Sequence, residues 1–225
     1  KTISSPKIKF FHSPHINPES LTAVRQQMLA DTRSDWLLIL DGDEIWPEES
    51  IRHTLSFINK SGSQYEYLIH PYYNLVGDSY HYQEKSAGKY KIGPYSGHIT
   101  IRFINLKKLP KLHFAKPHGQ QGIFDTGNIL VQNRRPFLGH FMDQPYLHAT
   151  HLARSSKDSD VMKRPFKRKF DLGLSFPRDF IYPKPFYFPH PPLVPSPWVR
   201  RNLGYLLHSL AQSPFKLIKR NFFNS

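Results

Sequence analysis

Apolar residues recur along the chain at two spacings, and the switches between them mark the elements. Residues 7–11 alternate polar and apolar, which predicts an edge strand. Asn17-Pro18-Glu19 has the form of an N-cap, a first-position proline and a first-turn acid, and Leu21, Val24, Met28 and Leu29 then trace a helical stripe to about residue 30. A polar turn over 31–35 leads into five apolar residues, 36–40, with the length and composition of a short buried strand. A second helix is predicted over 47–60, with Ile51, Leu55 and Ile58 on one face and Ser61-Gly62 at its end. Residues 65–73 predict a strand whose aromatics serve packing or, as the alternative, form a sugar platform, and 97–104 alternate cleanly as another. Between them, residues 80–95 are polar and rich in Gly and Tyr, the composition of a long loop.

The strand over 36–40 ends abruptly at Asp41-Gly42-Asp43-Glu44. The glycine permits a tight turn, so Asp41 and Asp43 can converge at the carboxyl edge of a sheet, where open α/β folds place ligands. A central parallel strand opening on a pocket is the expectation. Oxygen ligands in that position suit Mg²⁺ or Mn²⁺. Asp-Gly is equally a turn dipeptide, and Glu48 and Glu49 have the position of ordinary first-turn helix acids.

The character changes after residue 156. Residues 163–170 interleave Lys and Arg with Phe, and eight prolines fall between Pro177 and Pro197, an extended stretch poorly suited to a packed core. Residues 198–210 then carry a helical stripe that is broken at Ser213-Pro214 and resumes over 215–223 with cations on its other side. Such a basic amphipathic end reads either as a membrane-surface element or as a helix packed on the domain or a partner. The division expected is 1–156 as a catalytic part and 157–225 as a basic, Pro-rich and helical extension.

Composition narrows the class. Hydrophobic residues make up 39% and aromatics 14% of the 225 residues, enough for one substantial core. Thirty-one Lys and Arg against seventeen Asp and Glu leave +14, which calls for an anionic partner. The acids at 41–44 are an island in that field, which favours a cation bridging to an anionic ligand over a nucleic-acid surface. Cysteine is absent, which excludes disulfides and thiolate metal sites and fits a reducing, cytoplasmic setting.

The order helix, Ser34-Asp35-Trp36, apolar strand, Asp41-Gly42-Asp43-Glu44, Trp46-Pro47, helix resembles family 2 glycosyltransferases of the GT-A fold. The match is good over residues 17–60 and looser over 97–155. The resemblance implies an α/β fold, a mixed sheet flanked by helices, and a DxD motif holding Mg²⁺ or Mn²⁺ against the diphosphate of a nucleotide-sugar donor. It further implies an inverting transfer, with a lipid-linked or polysaccharide acceptor at the inner face of an anionic membrane and no nucleic-acid partner. Asp41 and Asp43 are then the metal ligands, joined by His151, which with His148 would share one helical face. Glu44, His118 and Arg154 become substrate contacts. The family's His-Glu is represented here by His118-Gly119, so the proton acceptor falls to the nearest acid, Asp125, whose other reading is an Asx-turn residue before Gly127. Family members open with a strand ending in Pro-x-Tyr/Phe-Asn, and nothing before Lys7 supplies it, so the resemblance implies a fragment that need not be active alone. Two other classes compete: a basic nucleic-acid-binding protein, and a Mg-dependent phosphohydrolase, whose Asp-x-Asp-x-Thr pattern fails at Ile45.

Overall fold

The computed structural model describes residues 5–11, 18–116, 122–152, 170–190 and 196–223, with side chains described for 20–116 and for 196–216 in the second and last of these. Its elements in order are α1 (Pro18–Asp31), β1 (Trp36–Leu38), β2 (Glu44–Ile45), α2 (Glu48–Ser61), β3 (Tyr67–Val76), β4 (Asp78–Tyr82), β5 (Tyr90–Ile92), β6 (Tyr95–Gly97), β7 (Ile99–Asn105), β8 (His113–Ala115), β9 (Gly122–Phe124), β10 (Gly139–Phe141), β11 (Tyr146–His151), β12 (Leu174–Ser175) and α3 (Leu203–Phe223). A mixed sheet runs β1-β7-β3-β11-β2, with β10 and β4 also on β3 and β12 on β4. It is an α/β arrangement of a curled sheet with flanking helices, as the fold class expected.

The ten-residue strand β3 is the spine of this sheet. Its first half pairs antiparallel with β7 and parallel with β10; its second half pairs parallel with β11 and antiparallel with β4. Nearly every residue of β3 is buried, including Tyr67, Leu68, Ile69, Leu75 and Val76, because neighbours cover both its faces and both its edges. Tyr67 and Tyr72 belong to this core, so the aromatics of β3 are packing residues.

The expectation of a central parallel β1 is corrected. β1 pairs antiparallel with β7 and ends the sheet among the described residues. The physical reason lies in the crossover: β1, α2 and β3 do form a parallel βαβ-like unit, but β7 inserts antiparallel between the two strands and takes the hydrogen bonds of both. The region 80–95 is also corrected, since β5 and β6 form a hairpin in which Ile92 faces Tyr95. Gly93 at φ 57° occupies the first central position of its two-residue turn, which a side chain would strain. Residues 7–11 lie outside any strand.

On α2 the buried face is Ser50, Thr54 and the partly buried Ile51, Phe57 and Ile58, while Leu55 is exposed. The stripe is rotated from the one expected because Thr54 Oγ1 bonds the Ser50 carbonyl at 2.7 Å and meets buried His70 Nε2 at 3.1 Å. The proline-rich segment is corrected more strongly. Phe176, Phe180, Tyr182, Phe186 and Trp198 pack on Leu75, Leu147, Tyr73 and Tyr82 at the far end of the sheet. Ser79 donates to the Pro197 carbonyl at 2.6 Å, and Arg201 N–H to Asp78 at 3.2 Å. Extended backbone between prolines offers few donors to satisfy, so its aromatic side chains can stack on a sheet without burying unpaired N–H groups. Helix α3 continues through Pro214, where the sequence pattern suggested a break. Among the described residues no helix is long and apolar enough to cross a membrane.

Candidate functional site

The β1 ladder runs on past Leu38, with Ile39 N–H donating to the Arg102 carbonyl at 2.9 Å, and then turns. Gly42 and Asp43 are the centre of that turn, closed by Glu44 N–H on the Asp41 carbonyl at 3.1 Å. Gly42 has open space where a Cβ would stand. Glu44 enters β2 and registers opposite His148 of β11, and Ala149 N–H donates to the Asp43 carbonyl at 2.7 Å. The turn therefore sends three adjacent acids into three environments.

Asp41 faces two guanidinium groups, Arg25 Nη2 of α1 at 2.5 Å and Arg102 Nη2 of β7 at 3.0 Å. Glu44, its side chain 0% exposed, pairs with the same Arg102 and accepts from Tyr146 Oη at 3.1 Å and Trp46 Nε1 at 3.5 Å. Burial pushes the Glu44 carboxyl up, and Arg102 opposes that rise. Trp46 and Tyr146 stack with ring centroids 4.6 Å apart and shield this pair from water.

Asp43 is different. Its side chain stays 30% exposed, with His148 Nε2 at 3.7 Å from Oδ1, an ion-pair spacing beyond a good hydrogen bond. Interaction with the His148 ring holds its carboxyl at about 2 against the opposing cost of burial. His148 Nδ1 is buried without a hydrogen-bond partner. The ring stands edge-on to Tyr72 at 5.0 Å.

The donor set can be compared with what a hard divalent cation requires. Among the described residues no three His, Asp or Glu side chains converge as a metal site. Both Asp41 oxygens are engaged by arginine, whereas Asp43 is ionised and accessible. Mg²⁺ commonly takes one or two carboxylates and completes its sphere with substrate phosphate and water, so Asp43 fits as a protein ligand of that kind. A cleft of about 410 Å³ adjoins the acids on the Asp41 side, lined in part by Arg25, Asp41, Arg102, Tyr90, Thr100 and Gln132.

The remaining sequence-derived candidates fall elsewhere. His118 and Arg154 lie outside the described residues, as does most of the basic cluster, 163–169. His151 is on a strand, β11, so the shared helical face expected for it and His148 is corrected. A bulge between them lets His148 register with Asn74 and His151 with Val76, residues two apart on β3. His148 is the one whose ring approaches Asp43. Asp125 closes an Asx turn, accepting from Gly127 N–H and Ile129 N–H at 2.9 Å each, and also pairs with Arg134. Arg134 in turn bonds Glu66 at 2.6 and 2.9 Å. Donors on both oxygens hold the Asp125 carboxyl below its ordinary value, the backbone N–H of Ile129 first among them. A carboxylate so occupied is a poor proton acceptor, and the geometry is that of a structural acid.

Sequence reasoning gave too little weight to Arg25, Arg102 and His148. Arg102 carried a usable signal, a lone cation within an alternating apolar strand. Arg25 and His148 carried only weak signals, a helical cation and one of two histidines in the same region, because only the tertiary fold brings α1 and β11 to the turn.

A family model, Glycosyl transferase family 2, matches residues 2–124. That span contains α1, the acid turn and Arg102, while His148 and Tyr146 lie beyond it. No curated protein and no solved structure matches the chain.

Proposed function

The chain belongs to glycosyl transferase family 2, and from that premise we propose a metal-dependent transfer of a sugar from a nucleoside-diphosphate donor to a lipid-linked or polysaccharide acceptor, with inversion at the anomeric carbon, at the cytoplasmic face of a membrane. Family membership carries the glycosyltransferase activity, from a nucleotide-sugar donor to an acceptor; the acceptor class, the metal, the inversion and the membrane are this reading's own. The observation that best supports the metal dependence is the state of Asp43, ionised and accessible beside His148 while its neighbours are paired with arginine.

In this reading Asp43 holds Mg²⁺ or Mn²⁺ together with the donor diphosphate, with His151 a candidate further ligand at the end of β11. A cation bound there supplies Lewis-acid neutralisation of the leaving diphosphate. His148 orients Asp43 and keeps it charged. Asp41 is a positioning residue, since the two guanidinium groups fix it at the rim of the cleft and it fixes them in turn. Arg25 and Arg102 present N–H donors suited to phosphate oxygens at that rim. Glu44, buried with Tyr146 and Trp46, anchors Arg102 from below and takes no part in proton transfer.

The test is release of nucleoside diphosphate from a panel of UDP-, GDP- and TDP-sugars, with Mg²⁺, with Mn²⁺ and with a chelator. Turnover that needs the cation and is lost in Asp43→Asn is expected. Turnover that survives both the chelator and that substitution would refute the metal assignment. Steeply salt-dependent DNA binding with no response to any donor would favour the nucleic-acid class instead.

A further inference from the structure

Helix α3 and the segment before it carry an apolar surface that stands exposed among the described residues. Tyr205 and Ser209 are buried, and Lys216 Nζ bonds the Phe170 carbonyl, so these positions define the face that packs on the domain. Leu203, Leu207 and Leu210 are 70%, 58% and 56% exposed. Spacings of four and three residues put these leucines on one stripe, roughly two fifths of a turn from the packed face by the helical period. Phe215 is 73% exposed, and Val199, Tyr187 and Phe188 just before the helix are exposed as well. Large exposed apolar residues gathered in one segment signal a surface that is covered in use.

The charge of the same segment indicates by what. From Phe180 to Ser225 there are six Lys and Arg and no Asp or Glu. Arg200, exposed, lies over the Tyr80 ring at 4.8 Å, at the start of the helix. A leucine face in a stretch free of acids is the composition of a helix that lies in the interface of an anionic bilayer. Helix α3 is 21 residues long, and no helix among the described residues qualifies to span a bilayer, so the orientation is in-plane.

We propose that α3 docks on an anionic membrane surface through Leu203, Leu207 and Leu210, lying parallel to the bilayer with Tyr205 and Ser209 holding it to the sheet domain. The proposal rests on the reading of a membrane-presented acceptor for its purpose, but its geometry is independent of the chemistry. Because α3 is tied to Asp171 through the Tyr205 hydroxyl, and the 171–201 segment to the sheet, docking would fix the orientation of the catalytic part relative to the bilayer.

Vesicle flotation of the full chain tests this without any donor sugar. The vesicles are phosphatidylcholine alone and phosphatidylcholine mixed with phosphatidylglycerol. The parent should float with the mixed vesicles and much less with the neutral ones. The triple variant Leu203→Ser, Leu207→Ser, Leu210→Ser should lose at least about tenfold in partitioning. Leu55→Ser, an exposed leucine on α2, serves as the control and should float as the parent does. Circular dichroism and the unfolding midpoint establish that the triple variant is folded, as substitution of exposed residues allows. Equal flotation of variant and parent overturns the proposal. So does a parent that ignores both vesicles but sediments as a dimer that the triple variant abolishes, which would make this face a contact with a second copy. A chain that floats but transfers no sugar would contradict the proposed function and leave this inference standing; transfer to a soluble acceptor without flotation would do the reverse.

Discussion

Replacing Arg102 by Met tests how the acid turn is held. Its side chain is 13% exposed and its guanidinium serves both Asp41 and Glu44. Asp41 keeps Arg25 after the substitution, but Glu44 is left fully buried with no cation. Removing one partner of a buried pair costs about 3–5 kcal/mol, because the other charge stays desolvated. For a chain of this size that corresponds to a fall of about 10 °C in melting temperature. The pH dependence follows from Glu44, whose carboxyl already lies above its ordinary value of 4.5 through burial. Loss of Arg102 raises it further. A carboxyl with a raised folded-state pKa makes the fold prefer the protonated form, so stability is retained below about 4.5 and lost as pH rises through the raised value. The Arg102→Met deficit should therefore be largest at neutral pH and shrink towards pH 4.5. Arg102→Met combined with Glu44→Gln should regain most of it at neutral pH, since no buried charge then remains. Urea unfolding followed by tryptophan fluorescence is the assay, with Trp46 stacked beside the pair as reporter. An Arg102→Met variant as stable as the parent at neutral pH, or one whose deficit grows on acidification, would refute the reasoning.

Other perturbations have equally definite outcomes. Asp43→Asn should abolish transfer and lower the unfolding midpoint modestly at neutral pH; because the folded pKa is depressed from 3.8 to about 2, the stability contributed by the ionised form, and with it the difference from the variant, should disappear between those values on acidification, read by comparing acid-unfolding curves. His70 is fully buried, and desolvation lowers it from 6.5 to about 3, so the fold requires it neutral: its share of stability is complete above pH 6.5 and is lost towards pH 3, amounting to about 4–5 kcal/mol over the whole span. His70→Gln should flatten the dependence of urea stability on pH over that range. Gly139→Ala should destabilise by about 1–3 kcal/mol in the same assay, since its Cβ would meet the fully buried Tyr67 ring at 2.1 Å.

Where periodicity and punctuation agreed, the chain could be read directly. Helices α1 and α2 were located within a residue or two, because Pro18 and Pro47 mark their starts and the stripes are long. Strands β3 and β7 were legible from their β-rich composition. What failed were short elements and elements defined by partners. Residues 146–151 read as a possible helix from two histidines three apart, yet they form β11, because β2 and β3 supply hydrogen-bonding edges on both sides. Strands β5, β6, β8 and β9 are three residues each, too short for a periodic signal. Pro214 signalled a break that α3 does not make; proline removes one N–H from a ladder of 21 residues, and Ser213 Oγ donates to the nearby Ser209 carbonyl at 2.7 Å.

For the site, the acids were legible and their partners were not. The sequence offers Asp41, Asp43 and Glu44 as near equivalents, and only β7 and β11 differentiate them. Arg102 lies 61 residues from Asp41, and Tyr146 lies 102 residues from Glu44. Two guanidinium groups against three carboxylates leave one negative charge in the cluster, and the geometry concentrates it on Asp43. Had all three acids opened on the cleft, their mutual repulsion would have lifted their pKa values and weakened each as a ligand. Burying Glu44 and pinning Asp41 instead keeps Asp43 ionised down to about pH 2. Under the proposed reading, a single fixed carboxylate suits reversible binding of a cation that arrives and leaves with a diphosphate, whereas a full protein cage would retain the ion after the nucleotide departs. Under the same reading the basic character of the chain, +14 in total, acts in the same direction by drawing the anionic donor towards Asp43 and its proposed cation.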